Sequence, residues 1–284
     1  MNKNQKIQIR GNNAYYGSES WNCHWIETTK YVNVYGNIMS LFNSTSFTTL
    51  YTISYSYALC RWFRNAKIKN ASNLILPATT LSDHCYYNMF DYCNRMEVGP
   101  IILPATTLSD NCYSYMFSNC TSLTTAPELP ATRLANYCYY YMFSGCTSLT
   151  AAPSLPATTL KNYCYAYMFN GCTSLTAAPS LLPAMTLQNG CYNGMFCKCS
   201  TLTTAPELPA ISLVNYCYLK MFNGCTSLNY IKAMFRTTPS NTYTNYWVDG
   251  VSPTGTFVKN SAATWNVTGI SGIPSGWTVQ TASA

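Results

Sequence analysis

Charge is what this chain has least of. Asp, Glu, Lys and Arg together make up 9% of its 284 residues, where about a quarter is usual. Histidine occurs twice, and neither paired carboxylates nor a Gly-rich phosphate loop can be found. Such shortages leave no arrangement with acid–base or phosphate-binding geometry, so the expectation is a protein that is not an enzyme and holds no cofactor. Missing too is any apolar run of membrane-spanning length, which argues against membrane insertion. The opening MNKNQKIQIRG has a basic start but lacks the apolar stretch of a secretory signal.

What is present is apolar and aromatic. Hydrophobic residues reach 48% and aromatic residues 15%, with 25 tyrosines; this composition favours a sizeable core over disorder. Surface polarity must then come from Thr, Ser, Asn and Tyr. The net charge of +7 is uneven, with Arg61, Arg64, Lys67 and Lys69 in one short stretch. A nucleic-acid patch and a solvated edge both fit that stretch, and the edge is the expected reading, so nucleic acid is not an expected partner.

The cysteines expose a repeat. They pair as Cys85/Cys93, Cys112/Cys120, Cys138/Cys146, Cys164/Cys172, Cys191/Cys199 and Cys217/Cys225, always 8 apart, and first members recur every 26 or 27 residues. The phrase decays at both ends but keeps register: Trp62-Phe63 lie 27 before Met89-Phe90, and YTNYWVDGV from Tyr243 to Val251 aligns with CYYYMFSGC from Cys138 to Cys146. Six clear repeats flanked by two degenerate ones predict a solenoid, whose end units must cover its core.

Within a repeat, the residue two before the first Cys is Asp83, Asp110, Asn136, Asn162, Asn189 or Asn215, which reads as a helix N-cap. Cys138/Met142 and Tyr139/Phe143 are spaced by four, as on one helix face, and Gly145, Gly171 and Gly224 stand where a left-handed residue ends a helix. A helix of about two turns is therefore expected in each unit. TSLTTAP and ATTL read as short extended pieces, stacked into a parallel sheet. The predicted fold class is an α/β, leucine-rich-repeat-like solenoid with one short parallel strand and one short helix per unit. Expected boundaries are 1–57 for an N-terminal β-rich cap, 58–251 for the solenoid and 252–284 for a C-terminal β cap. KIQIRGNNAYY and KYVNVYGNIMSLF alternate as cap strands would.

MFSGCTSLTAAPSLPATTL resembles the BspA-type leucine-rich repeats, a bacterial surface family of 26-residue repeats also found in phage. Phe143, Gly145, Cys146, Ser148 and Leu149 carry the resemblance, which covers roughly residues 58–251. It implies a solenoid in adhesion or recognition, located on a bacterial cell surface, outside the cell or on a phage virion. The family carries no catalytic residues to transfer.

Three readings of the 15 cysteines stay open. Disulfides would suit an extracellular protein. Zinc would need clustered ligands, and only Cys197 and Cys199 are close together. A ladder of buried thiols at Cys85, Cys112, Cys138, Cys164, Cys191, Cys217 and at Cys93, Cys120, Cys146, Cys172, Cys199, Cys225 would use cysteine as a small core residue, and Ala66 and Val251 in the second column of the end repeats favour it. No bound metal is expected.

The tyrosine after each first Cys (Tyr86, Tyr113, Tyr139, Tyr165, Tyr192, Tyr218) reads as structural, with its ring packed and its hydroxyl near the surface. Two other sets lie off the apolar stripe: Tyr115, Tyr141 and Tyr167, and Tyr137, Tyr163 and Tyr216. They should form partly exposed rows that either contact a ligand or merely stack between units. Thr121, Ser122, Thr124, Thr147, Ser148, Thr173 and Ser174 should line a polar face that either binds or solubilises. The expected function is non-catalytic recognition of a surface glycan or protein through the tyrosine rows, on bacterial cells or as a phage receptor-binding component. The alternative is a structural subunit of a virion or surface assembly, acting through self-association.

Overall fold

The computed structural model describes residues 26–282. KIQIRGNNAYY of the predicted N-terminal cap lies outside them. The regular elements are short parallel strands in two sheets. Strand β1 (Val32–Asn37) pairs with β2 (Ile68–Ile75), and β3 (Tyr230–Ala233), β4 (Thr256–Lys259) and β5 (Thr278–Thr281) form the second sheet in that order. Helix is nearly absent among the described residues: α1 (Asn241–Thr244) is a single turn, and Ile38–Leu41 and Phe47–Thr49 are 3₁₀ segments.

Between the sheets, successive repeats lie side by side and parallel, joined by isolated bridges. Thr107, Arg133, Thr159 and Thr186 form one line of bridges through ATTL and its equivalents; Val98 with Thr125, Ala151 with Ala177, and Thr204 with Tyr230 form another through TSLTTAP. Extended pieces thus occur where they were expected, but only one bridge wide. Proline explains the narrowness: Pro127, Pro130, Pro153 and Pro156 lack the N–H that would carry a ladder onward.

The predicted two-turn helix is not there. Tyr137–Cys146 is a chain of β-turns instead. The N–H groups of Tyr140, Met142, Ser144 and Cys146 donate to the carbonyls of Tyr137, Tyr139, Tyr141 and Phe143, closing turns of 3.1–3.2 Å. The alternate N–H groups, of Tyr137, Tyr139, Tyr141, Phe143 and Gly145, donate at 2.7–3.1 Å to Asn162, Cys164, Ala166, Met168 and Asn170 of the next repeat. Every fourth residue is left-handed, with φ of 55° at Tyr137, 53° at Tyr141 and 75° at Gly145. An α-helix admits no such residue and would spend every interior N–H on itself. The turns recur every four residues, so they too align Cys138 with Met142 and Tyr139 with Phe143.

The supposed N-caps change role accordingly. Asp83 Oδ1 accepts from the N–H of Asp110 (3.1 Å), Asp110 Oδ1 from Asn136 (2.8 Å), and Asn136 Oδ1 from Asn162 (3.2 Å). These bonds tie one repeat to the next rather than starting a helix.

The core is aromatic. Rings of Phe63, Phe90, Phe117, Phe143, Phe169, Phe196 and Phe222 stack at 5.3–5.9 Å. A parallel stack joins Tyr86, Tyr113, Tyr139, Tyr165, Tyr192 and Tyr218 at 5.6–6.0 Å. Each tyrosine of this stack is 1% exposed, so its hydroxyl is buried rather than near the surface, because its ring lies inside the turn ribbon beside the cysteines. Trp247, in the methionine column, packs against both Tyr218 (6.1 Å) and Phe222 (6.2 Å) and ends both stacks. Beyond it, Phe257 and Trp265 extend the core toward β4, and the indole N–H groups of Trp247 and Trp277 donate to Gly272 (2.8 Å) and Ser252 (2.7 Å).

Candidate functional site

The twelve cysteines of the two columns are free and buried. In the second column the thiols have a polar role. Cys93, Cys120, Cys146, Cys172, Cys199 and Cys225 donate to the carbonyls of Phe63, Phe90, Phe117, Phe143, Phe169 and Phe196 at 2.9–3.1 Å. Each of these carbonyls belongs to the preceding repeat, so cysteine acts here as a small apolar residue with one weak donor. Burial pushes these thiols up, to about 12 at Cys93 and Cys172, which is opposite to what a nucleophile or metal ligand needs. Cys60 is disulfide-bonded. No cluster of three His, Cys, Asp or Glu that could hold a metal occurs among the described residues.

The basic stretch is engaged locally. Arg64 Nε pairs with Asp91 at 3.1 Å and its guanidinium lies over Tyr92. Lys69 faces Glu97 at 3.7 Å, and Lys67 Nζ donates to the Thr29 carbonyl at 3.1 Å. His84 stacks on Tyr57 at 4.4 Å, and desolvation holds its pKa below the usual value against the pull of Asp83 and Asp110. On the threonine face, Thr121 and Ser122 donate to Asn94, Thr124 to Glu97 and Thr147 to Thr121, at 2.8–3.2 Å. Those hydroxyls hold repeats together.

All six candidate tyrosines occupy left-handed turn positions, with φ between 53° and 59°. This conformation is uncommon for any residue but glycine, and it throws the side chain outward from the ribbon. In the row of Tyr115, Tyr141 and Tyr167 the rings stack at 5.1 and 4.6 Å. Tyr137 and Tyr163 stack at 5.1 Å with an interplanar angle of 3°. Tyr140 stands edge-on between the two rows, 5.5 Å from Tyr137 and 4.6 Å from Tyr141. Packing at this density desolvates the hydroxyls and raises the pKa values of Tyr115, Tyr141, Tyr163 and Tyr167, with neighbouring ionisable groups adding to the shift.

Tyr137, Tyr163 and Tyr216 line a groove of about 400 Å³ together with Asp110, Asn136, Asn162, Asn189 and Asn215. That volume is in the range of small-molecule sites. The structure therefore brings one tyrosine row and the Asp/Asn column together and leaves Tyr115, Tyr141 and Tyr167 outside the groove lining. The asparagines match a capping pattern in the sequence, and their one-residue offset from the tyrosine column does not reveal their direction, since Cys138 and Cys164 have the same offset and are buried.

Gly190 interrupts the row. It holds the tyrosine position of its repeat at φ 60°, and a Cβ added there would meet Cε1 of Tyr163 at 2.2 Å, so the Tyr163 ring covers this glycine. Gly194 and Tyr167 repeat the arrangement in the other row, at 2.3 Å. In comparisons with family models, curated proteins and solved structures, nothing matches this chain. No helix among the described residues is long and apolar enough to cross a membrane.

Proposed function

We propose that the chain is a repeat solenoid of the BspA type and a non-catalytic recognition module. It binds a glycan or protein on a bacterial cell surface, either as a surface protein itself or as a phage receptor-binding component. The observation that carries this reading is the groove, where amide groups and tyrosines converge over five successive repeats. Amides supply both donors and acceptors, and tyrosine supplies rigid contact area at low entropic cost. Burial of the cysteines and local pairing of the basic stretch support a role without a thiol nucleophile or a nucleic-acid partner.

The test is binding of labelled protein to a panel of host-associated bacterial cells, with purified surface polysaccharide as competitor. Strain-selective binding is expected. No binding to any strain, from protein shown to be folded, would sink the reading.

One observation favours a structural subunit instead. Met185 and Ile211 hold equivalent positions in neighbouring repeats and, with Leu181, are 42–58% exposed, an apolar group suited to self-association. A monomer in sedimentation at high concentration would remove this alternative.

A further inference from the structure

We propose that the groove binds a neutral pyranose at one point along its length, beside the row break at Gly190, with Tyr216 as the stacking platform. The proposal rests on the recognition reading above and narrows it to one ligand chemistry and one subsite.

Three observations converge there. The first is a free ring. Tyr137 and Tyr163 occupy each other's faces, and Tyr163 covers Gly190. The stack does not reach Tyr216, which has no ring partner among the described residues and is 45% exposed. The second is free hydrogen-bonding capacity. Asp110 and Asn136 spend their side chains on neighbouring repeats: both Asp110 oxygens accept from Asn136, and Asn136 Oδ1 accepts from Asn162. The side-chain amides of Asn162, Asn189 and Asn215 make no hydrogen bond among the described residues. The third is charge: among the described residues, Asp110 is the one charged residue lining the groove, and it sits at the end away from Tyr216.

A pyranose has an apolar C–H face and a rim of hydroxyls that each donate and accept. The Tyr216 ring fits the face, and amides on adjacent repeats fit a pair of neighbouring hydroxyls. An anionic sugar would need a cationic partner, which the groove lining lacks among the described residues. One stacked ring with a few hydrogen bonds gives a dissociation constant of about 1–10 mM for a single sugar.

The experiment is a titration of the full chain with methyl glucoside, methyl galactoside, methyl mannoside and N-acetylglucosamine, with sialic acid as the anionic control, followed by saturation-transfer NMR. At least one neutral sugar should saturate in the millimolar range and sialic acid should not. Gly190→Tyr should weaken that binding by about tenfold or more. It completes the row once the Tyr163 ring swings off the glycine it covers, with a residue that flanking repeats already hold at φ 53° and 59°. Tyr216→Ala, which removes an exposed ring, should do the same and keeps the test open if Gly190→Tyr unfolds.

Unchanged binding in Tyr216→Ala overturns the subsite, as does binding of no neutral sugar or of sialic acid alone. In each case the cell-binding assay still decides recognition separately, since polysaccharide-competed adhesion by wild type would stand while the subsite fell.

Discussion

Two aromatic systems run along this molecule, one inside the turn ribbon and one outside. The inner stacks of Phe and Tyr continue through every clear repeat without substitution and end on Trp247. The outer rows hold Tyr, His, Asn, Gly, Lys or Arg at the same left-handed positions. Both systems step at one position per repeat, yet only the inner one is invariant. The two kinds of position make different demands. Inside, a ring must fill a fixed volume between two identical neighbours. Outside, the backbone demands only tolerance of positive φ, and the side chain is released for other uses.

The largest effect should come from emptying the inner system. Phe143→Ala removes a ring between Phe117 and Phe169 and should destabilise by about 3–5 kcal/mol, read as a shift in the urea midpoint. Tyr141→Ala removes an outer ring and should cost less than about 1 kcal/mol by the same measurement. Equal losses would erase the distinction.

Alkali probes the inner wall next. A buried thiol whose pKa rises from 9.0 to about 12 stays protonated in the folded chain while its unfolded counterpart ionises. The unfolded state then binds fewer protons, so stability is complete below about pH 9 and falls between pH 9 and 12. Unfolding temperatures measured across this range should decline, and a flat profile would contradict the burial of the thiols. In the native state at pH 8, alkylation should leave the column cysteines unmodified; Cys197, which lies outside both columns at 5% exposure, should react first.

A finer comparison lies within the asparagine column. Asn136→Ala deprives the Asn162 N–H of its acceptor and should cost about 1 kcal/mol. Asn215→Ala loses no bond among the described residues and should change stability by less than about 0.5 kcal/mol. Thermal unfolding of the two variants side by side would show whether the column is committed at one end and open at the other.

Much of this was legible in the chain. Repeat length, register and the degenerate ends at Trp62-Phe63 and Trp247 could be read from the cysteine spacing. So could the inward cysteine, methionine and phenylalanine columns. The helix was misread because a four-residue turn period and a helical face place Cys138 beside Met142 equally well. The distinguishing mark lies in the backbone, where Gly190 and Gly194, or His84, Asn88 and Tyr92, hold positive φ four apart, which no helix allows; of these only the glycines point to it by residue type. The groove was only half visible. Its tyrosines stood out by composition, whereas Asn189 and Asn215 matched a capping pattern, and only the hydrogen bonds between repeats show which amides are spent.

The alternating N–H bonds of the turn ribbon have one more consequence. From His84 to Gly224 each repeat presents the same donors to the next and accepts the same bonds from the one before. A phrase inserted or deleted whole would meet identical partners on both sides. A gain or loss of one whole repeat is therefore compatible with this architecture. Such an event would alter how many outer positions are displayed without a new core having to be invented.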